Sequence, residues 1–328
     1  MTANDGAAVA GAVVTVAIPV LDGGSAFARV LRAIRTQIVE AELEIVVCDS
    51  GSTDASREHA REYGARVIEI PRAEFNHGAA RNLLVEAAQG SHVALLTQDA
   101  EPADEHWLAR LLAGFGRGDD VALVYGRYLP RPDASPAVRR ELERWFGSLS
   151  PGVERLAAGE RDLPAVELMG RRGFFSDANA CIAREAWEQV PFREIPYAED
   201  RALALDMLRA GYAKVYEPLA AVLHSHEYRG RQRFRRNFDE WRGLREVYGW
   251  REPATPRRLI SQLRGELGPL RREGAGLRTL MRAGADELIR FAGAVLGSRA
   301  ATLPPALQRR LSLEGRGATD RARERPAP

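Results

Sequence analysis

The amino-acid sequence predicts an α/β protein built on a mostly parallel sheet with helices on both faces. Three observations lead there. Short apolar runs recur through residues 1–130, a segment with helical apolar spacing follows most of them, and the turns closing the runs carry aspartate or glycine. Strands separated by helices need crossover connections, which make neighbouring strands parallel.

The first run, Val13 to Val20, precedes Asp22-Gly23-Gly24-Ser25 and then Phe27, Val30, Leu31 and Ile34, an i, i+3, i+4, i+7 set. This reads as strand, turn and amphipathic helix. Glu44 to Cys48 forms a second strand ending at Asp49, and Ser52-Thr53-Asp54 offers a cap for a helix reaching Tyr63. A third strand covers 66–71. The loop Phe75 to Gly78 opens a helix over 79–89 that Gly90 stops, and a fourth strand runs over 92–98. A helix over 104–115 and a strand from Val121 to Tyr128 continue the alternation. From Pro130 to Gly173 the pattern loosens, with Pro132, Pro136, Pro151 and Pro164 punctuating helical pieces. Regular signals return at Phe174 to Ala183, in a helix over 199–210, and in a strand from Val215 to Leu223 that ends in His224-Ser225-His226. Helices are expected over 256–272 and 276–296, with Pro304 and Pro305 beyond. The expected boundaries are a flexible leader over 1–12, an α/β domain over 13–250, a basic helical extension over 251–314 and a disordered tail over 315–328.

With 328 residues, 45% of them hydrophobic, there is material for a sizeable core. The net charge of +2 hides an asymmetry: residues 251–328 hold 16 arginines against 8 carboxylates, which leaves −6 for residues 1–250. A body acidic on balance argues against nucleic acid as a partner, whereas the basic end suits anionic lipid or plain solubility. Leu277, Leu280, Met281, Leu288, Ile289, Phe291 and Leu296 among Arg278, Arg282 and Arg290 suit an interfacial helix, or packing against the body or a second copy in a homodimer. Lys214 is the only lysine, which reads as base composition. Cys48 and Cys181 lie far apart, as in a reducing cytoplasm. No signal peptide or membrane-spanning run is expected, so the chain reads as cytoplasmic, with peripheral contact at the inner face of the plasma membrane as a further expectation.

The most informative string is Leu95 to Pro102, where an apolar strand delivers Asp99 and Glu101 to its carboxyl end, the place where open α/β sheets keep ligands. Side chains at i and i+2 of an extended segment point the same way, so the pair can offer hard oxygens to Mg²⁺ or Mn²⁺. Such an ion typically holds a diphosphate. An acidic turn closed by Pro102 is the other reading. Asp22 and Asp49 close the first and second strands, so three loops at one rim carry carboxylates. Asp49 stands above a turn that Gly51 opens to close approach, suited to a base or ribose hydroxyl; Ser52 to Asp54 also read as an ordinary helix cap. Asn76 to Asn82 opens a helix with small residues, where amides favour an anion and Arg81 can pair with phosphate, although an Asx-type cap explains the same residues. Tyr197-Ala198-Glu199-Asp200 begins a helix. If it faces a cleft, Asp200 can take a proton from an attacking hydroxyl, with Glu199 the less favoured choice; a first-turn carboxylate is also ordinary capping. His224 and His226 share one side of a strand end and can join carboxylates around a divalent ion.

Together V-T-V-A-I-P-V-L-D-G-G, E-I-V-V-C-D-S-G-S-T-D, F-N-H-G-A-A-R-N, L-L-T-Q-D-A-E-P, F-F-S-D-A-N-A-C-I-A-R-E-A-W, Y-A-E-D and H-S-H-E-Y resemble family 2 glycosyltransferases of the GT-A fold. F-N-H-G, T-Q-D-A and H-S-H most resemble the bacterial rhamnosyltransferase branch. The resemblance implies a nucleotide-binding half over 13–128 and an acceptor and catalytic half over 129–250. It implies donor contacts at Pro19, Asp22, Asp49, Ser52, Arg81 and Gln98, with Arg81 near the diphosphate, and a metal on Asp99, with His224 or His226 as further ligand. Ser176, Asp177 and Asn179 would line the sugar or acceptor pocket, and Asp200 would be the base. Glu101 stands where a second Asp is frequent, which leaves its contact with the metal open; Cys48 stands where an acid is frequent. The implied reaction is inverting transfer of a sugar, L-rhamnose from dTDP-L-rhamnose, to a hydroxyl of a cell-surface glycan or lipid-linked saccharide. The alternatives are a UDP- or GDP-sugar donor, or a non-catalytic nucleotide-sugar-binding partner in an assembly complex. A nucleotidyltransferase is disfavoured because Leu21 to Ser25 holds no cation, and an NAD oxidoreductase because no G-x-G-x-x-G follows the first strand.

Overall fold

The computed structural model describes residues 13–313, which divide into two compact units between His226 and Glu227. The first unit opens with β1 (Val13–Val20), α1 (Gly24–Arg35), β2 (Glu42–Asp49), α2 (Ser56–Glu62), β3 (Arg66–Glu69), α3 (His77–Ala87) and β4 (His92–Leu96). It continues through β5 (Glu101–Pro102), α4 (Trp107–Ala113), β6 (Val121–Tyr125), β7 (Tyr128–Leu129), α5 (Pro136–Gly147) and β8 (Gly152–Glu154). It closes with β9 (Asn179–Ala183), α6 (Arg184–Gln189), α7 (Glu199–Ala210), β10 (Ala213–Tyr216) and β11 (Val222–Leu223).

Eight strands form one sheet in the order β3-β2-β1-β4-β9-β6-β10-β8, in which only β9 and β8 run against the rest. Side chains alternate across β1, so Val14, Val16, Ile18 and Val20 meet Phe27, Val30, Leu31 and Ile34 of α1 on one face. Ala17 turns to the other face with Leu84 and Val85 of α3. The four α1 residues are fully buried, each contributing about 1.5–3 kcal/mol. Both faces of the sheet are thus covered, which is why its strands read as continuous apolar runs.

The strand expected from Val215 to Leu223 is two. Pro218 has no N–H for a ladder, so β10 ends at Tyr216 and the chain turns before β11, which joins a small sheet ordered β5-β11-β7.

The second unit holds α8 (Gly230–Tyr248), α9 (Pro256–Arg272), α10 (Leu277–Gly297) and α11 (Pro305–Leu311). The boundary expected after residue 250 falls inside it, because α8 belongs with α10: a Cβ on Gly297 would lie 2.3 Å from the Phe238 carbonyl. Phe234, Phe238 and Trp241 carried a helical spacing that the sequence reading left unassigned. Leu277, Met281 and Leu288 stay exposed along α10. Among the described residues no helix is long and apolar enough to cross a membrane. The expected leader over 1–12 and tail over 315–328 lie outside the described residues.

Candidate active site

The carboxyl ends of β1, β2 and β4 meet at one rim, since β1 lies between the other two and Val20 is in register with Asp49. Asp49 is buried; its Oδ1 accepts from the amides of Gly51 (3.1 Å) and Ser52 (3.0 Å), and its Oδ2 has no hydrogen-bond partner. A buried carboxylate oxygen left open costs free energy unless something occupies it. Gly51 adopts φ +88°, a left-handed conformation that favours glycine, and thereby lets both amides fold back onto Asp49.

Asp99, His224 and His226 converge on a second point of the rim. The pairing of Leu223 with Glu101 draws the residues after β11 back along the Asp99 turn. Asp99 Oδ1 lies 3.5 Å from His224 Nδ1, and Oδ2 lies 3.5 Å from His226 Nε2. These gaps are too long for good hydrogen bonds, yet two ligands each about 2.1 Å from one ion stand about 3–3.5 Å apart. His224 Nδ1 is buried without a hydrogen-bond partner. The donor set of one carboxylate and two imidazoles, with ligand atoms within 4.8 Å of one another, fits a divalent ion. Burial pushes the His224 imidazole down to about 4 against the pull of Asp99, so it stays neutral, as a metal ligand must. Burial alone would raise the Asp99 carboxyl, but His224, His226 and Arg131 hold it below its ordinary value.

A third cluster opens α7. Ala198, at φ +67°, is a non-glycine residue in the left-handed region, a turn that costs about 1–2 kcal/mol and sets Glu199 and Asp200 at the helix start. Burial and the Asp177 carboxylate push Asp200 up to about 6, against the opposing pull of Arg201, its amide and Ser176. Burial, Asp177 and Asp200 push Glu199 up to about 8, with His77 opposing. Tyr128 joins this cluster to the previous one: its hydroxyl hydrogen-bonds Ser176, and its ring packs edge-on to His224 with centroids 4.9 Å apart. Sequence reasoning missed Tyr128 and Arg131; the only available signal was their position at and just beyond the end of the strand expected from Val121 to Tyr128.

The profile described as Glycosyl transferase family 2 matches residues 15–189, more than half of the chain. The chain belongs to this family. The O-antigen chain rhamnosyltransferase RfbN of Salmonella typhimurium is 34% identical over 232 residues, 69% of this chain and 70% of that protein. WbaN of Salmonella anatum, of the same description, is 36% identical over 200 residues, 60% of this chain and 61% of its own length. A mannosyltransferase of Pyrobaculum calidifontis, solved with GDP-Man and Mn²⁺, superimposes with TM-score 0.57 at 18% identity over 87% of this chain and 86% of its own. Glucosyl-3-phosphoglycerate synthase of Mycobacterium tuberculosis, solved with Mg²⁺ and UDP, gives 0.52 at 20% identity, covering 74% and 82%. At such identities the likeness shows the fold, which is GT-A.

In this family member several residues expected to touch the donor are occupied by the protein itself. Gln98 strap-bonds the β1 loop, accepting from the Leu21 amide (2.7 Å) and donating to its carbonyl (3.1 Å). Ser52 Oγ accepts from the Asp22 amide, and Asp22 Oδ1 accepts from the Thr53 amide, so the first two loops are cross-linked. Pro19 is part of β1, opposite Cys48. Arg81 does not face the cleft: it is buried, donates to the carbonyls of Leu96 and Asp177 and pairs with Asp177 Oδ2 at 2.8 Å. The start of α3 is closed likewise, because Asn76 caps it and a Cβ on Gly78 would lie 2.1 Å from the Arg193 carbonyl. The Asx-cap reading explains that segment. Asp177 is therefore a partner of Arg81, and Asn179 a buried brace that accepts from Trp107 Nε1 and donates to the carbonyls of Arg127 and Ala220. Glu101 lies outside the Asp99 group; it starts a strand of its own, with its carboxylate 3.5 Å from both Arg29 and Arg131.

Proposed function

We propose that the chain is an inverting glycosyltransferase that moves a sugar from a nucleoside diphosphate donor, dTDP-L-rhamnose, to a hydroxyl of a cell-surface glycan or lipid-linked saccharide. The observation that carries the reading is Asp200: a partly buried carboxyl pushed up to about 6, connected through Ser176 and Tyr128 to the Asp99, His224 and His226 group. A base with that affinity is mostly ionised at neutral pH and still takes a proton from an attacking hydroxyl as its bond to the sugar forms. Attack from the Asp200 side displaces the diphosphate on the opposite face, which inverts the anomeric carbon. Asp49, with its open Oδ2, would take a donor hydrogen from the base or ribose.

Asp99, His224 and His226 would hold Mg²⁺ or Mn²⁺, which when bound neutralises charge on the departing diphosphate. Arg131, whose guanidinium donates to the Asp99 carbonyl, would add a fixed cation at that edge. The rhamnosyltransferase names of the Salmonella relatives support the sugar; a UDP- or GDP-sugar is the alternative donor. The exposed Leu277, Met281 and Leu288 support a peripheral contact with anionic membrane, which sedimentation with liposomes at low salt tests. Nucleotide release from a panel of dTDP-, UDP- and GDP-sugars with Mg²⁺ or Mn²⁺ tests the main reading. Preferential release from dTDP-L-rhamnose is expected, and no release from any sugar nucleotide would overturn it.

A further inference from the structure

A cavity of about 290 Å³ opens beside β10, walled by Lys214, Tyr125, Tyr216, Arg171, Arg172 and the segment 148–154. Lys214 is only 2% exposed and is the sole lysine among 47 basic residues. Its Nζ makes one hydrogen bond, to the Phe174 carbonyl at 3.0 Å, and lies 5.3 Å above the Tyr125 ring. It forms no ion pair among the described residues. Glu154, which lines the same cavity, is held by Arg172 at 2.9 Å, and Arg172 is shared with Glu160. The Tyr125 side chain is buried too, and its hydroxyl makes no hydrogen bond among the described residues.

A buried ammonium with donors unused is expensive, and a leucine at 214 would fill a strand position at no such cost. Burial pushes the Lys214 amine down to about 8, so at neutral pH it remains largely charged. A buried cation lacking a carboxylate calls for an anion from outside. We propose that this cavity binds an oxyanion-bearing group, a phosphate or a carboxylate, with Lys214 as its cation, the Tyr125 hydroxyl as a second donor and the exposed Arg171 at the mouth. Phe174 connects it to the candidate base: its carbonyl holds Lys214, and its ring carries the Arg201 guanidinium at 4.1 Å, next to Asp200. The anion would accordingly belong to the acceptor, a clause that rests on the reading of Asp200 above; the affinity of the cavity for an oxyanion does not.

Because Lys214 is the only lysine, its peptide is the only one whose side-chain amine can be acylated, and mass spectrometry separates it from the α-amino terminus. The full chain is acylated near pH 8 with inorganic phosphate, glucuronate or chloride at equal ionic strength, and modification of the Lys214 peptide is followed by mass spectrometry. Phosphate or glucuronate at ten times its Kd should slow acylation about tenfold relative to chloride. Protection by phosphate alone identifies a phosphate group and protection by glucuronate alone a carboxylate. Tyr125→Phe should weaken the protection about tenfold or more, as loss of a hydrogen bond to a charged group does. Equal acylation in all three salts, or an equal phosphate-induced rise in Tm in wild type and Lys214→Met, would overturn the proposal. No donor sugar enters this experiment, so intact protection alongside failure of the base assignment separates the two readings.

Discussion

Arg81→Met separates a structural arginine from a donor-binding one. The substitution removes both carbonyl hydrogen bonds and the 2.8 Å pair with Asp177, leaving that carboxylate buried beside Glu199 and Asp200 with no cation on it. Breaking a buried pair from one side costs about 3–5 kcal/mol. At about 2–4 °C per kcal/mol for a domain of this size, Tm should fall by about 6–20 °C. Thermal and urea denaturation measure the loss, and calorimetric titration with the donor measures affinity. Adding Asp177→Asn should return a large part of the stability, since the orphaned charge is then gone. Unchanged stability with donor affinity lost would refute the structural role and return Arg81 to the diphosphate.

Three further outcomes follow from the same geometry. The kcat/KM of the wild type should climb as pH rises through about 6, because only ionised Asp200 accepts a proton; a flat profile from about pH 5 to 8 would contradict this. Glu199 is raised from 4.5 to about 8 in the folded protein, so the stability it lends is full below 4.5 and lost as pH rises through about 8. Glu199→Gln should flatten that loss, seen as greater urea resistance than wild type on the alkaline side and no such gain on the acid side. Asp99→Ala should weaken metal-dependent donor binding by more than the roughly tenfold that losing an outer-shell partner costs, read by titration with and without Mn²⁺.

The strands and helices of the first unit were legible because burial on two faces writes apolar runs and 3.6-residue spacing directly into the chain. Strand direction is not written there, and so the regular signal at Phe174 to Ala183 does not tell that β9 enters antiparallel between β4 and β6. Carboxylates and imidazoles at strand ends were readable as one rim. Their neighbours were less so, because Gln98 and Ser52 spend their polar groups on backbone 77 and 30 residues away, and residue type alone does not say whether an amide faces a ligand or a loop. Arg81 did carry a signal. It stands three and four residues before the buried Leu84 and Val85, which places it on the sheet-facing side of α3. Lys214, set aside as base composition, interrupts a wholly buried strand and marked the cavity beside it.

The most direct test is turnover and donor affinity of Asp200→Asn measured side by side on the metal-loaded protein. Nucleotide release should fall by about 10²- to 10⁴-fold while the donor Kd stays near that of the wild type. Release at the wild-type rate would mean that another group takes the proton and that Asp200 is not the base.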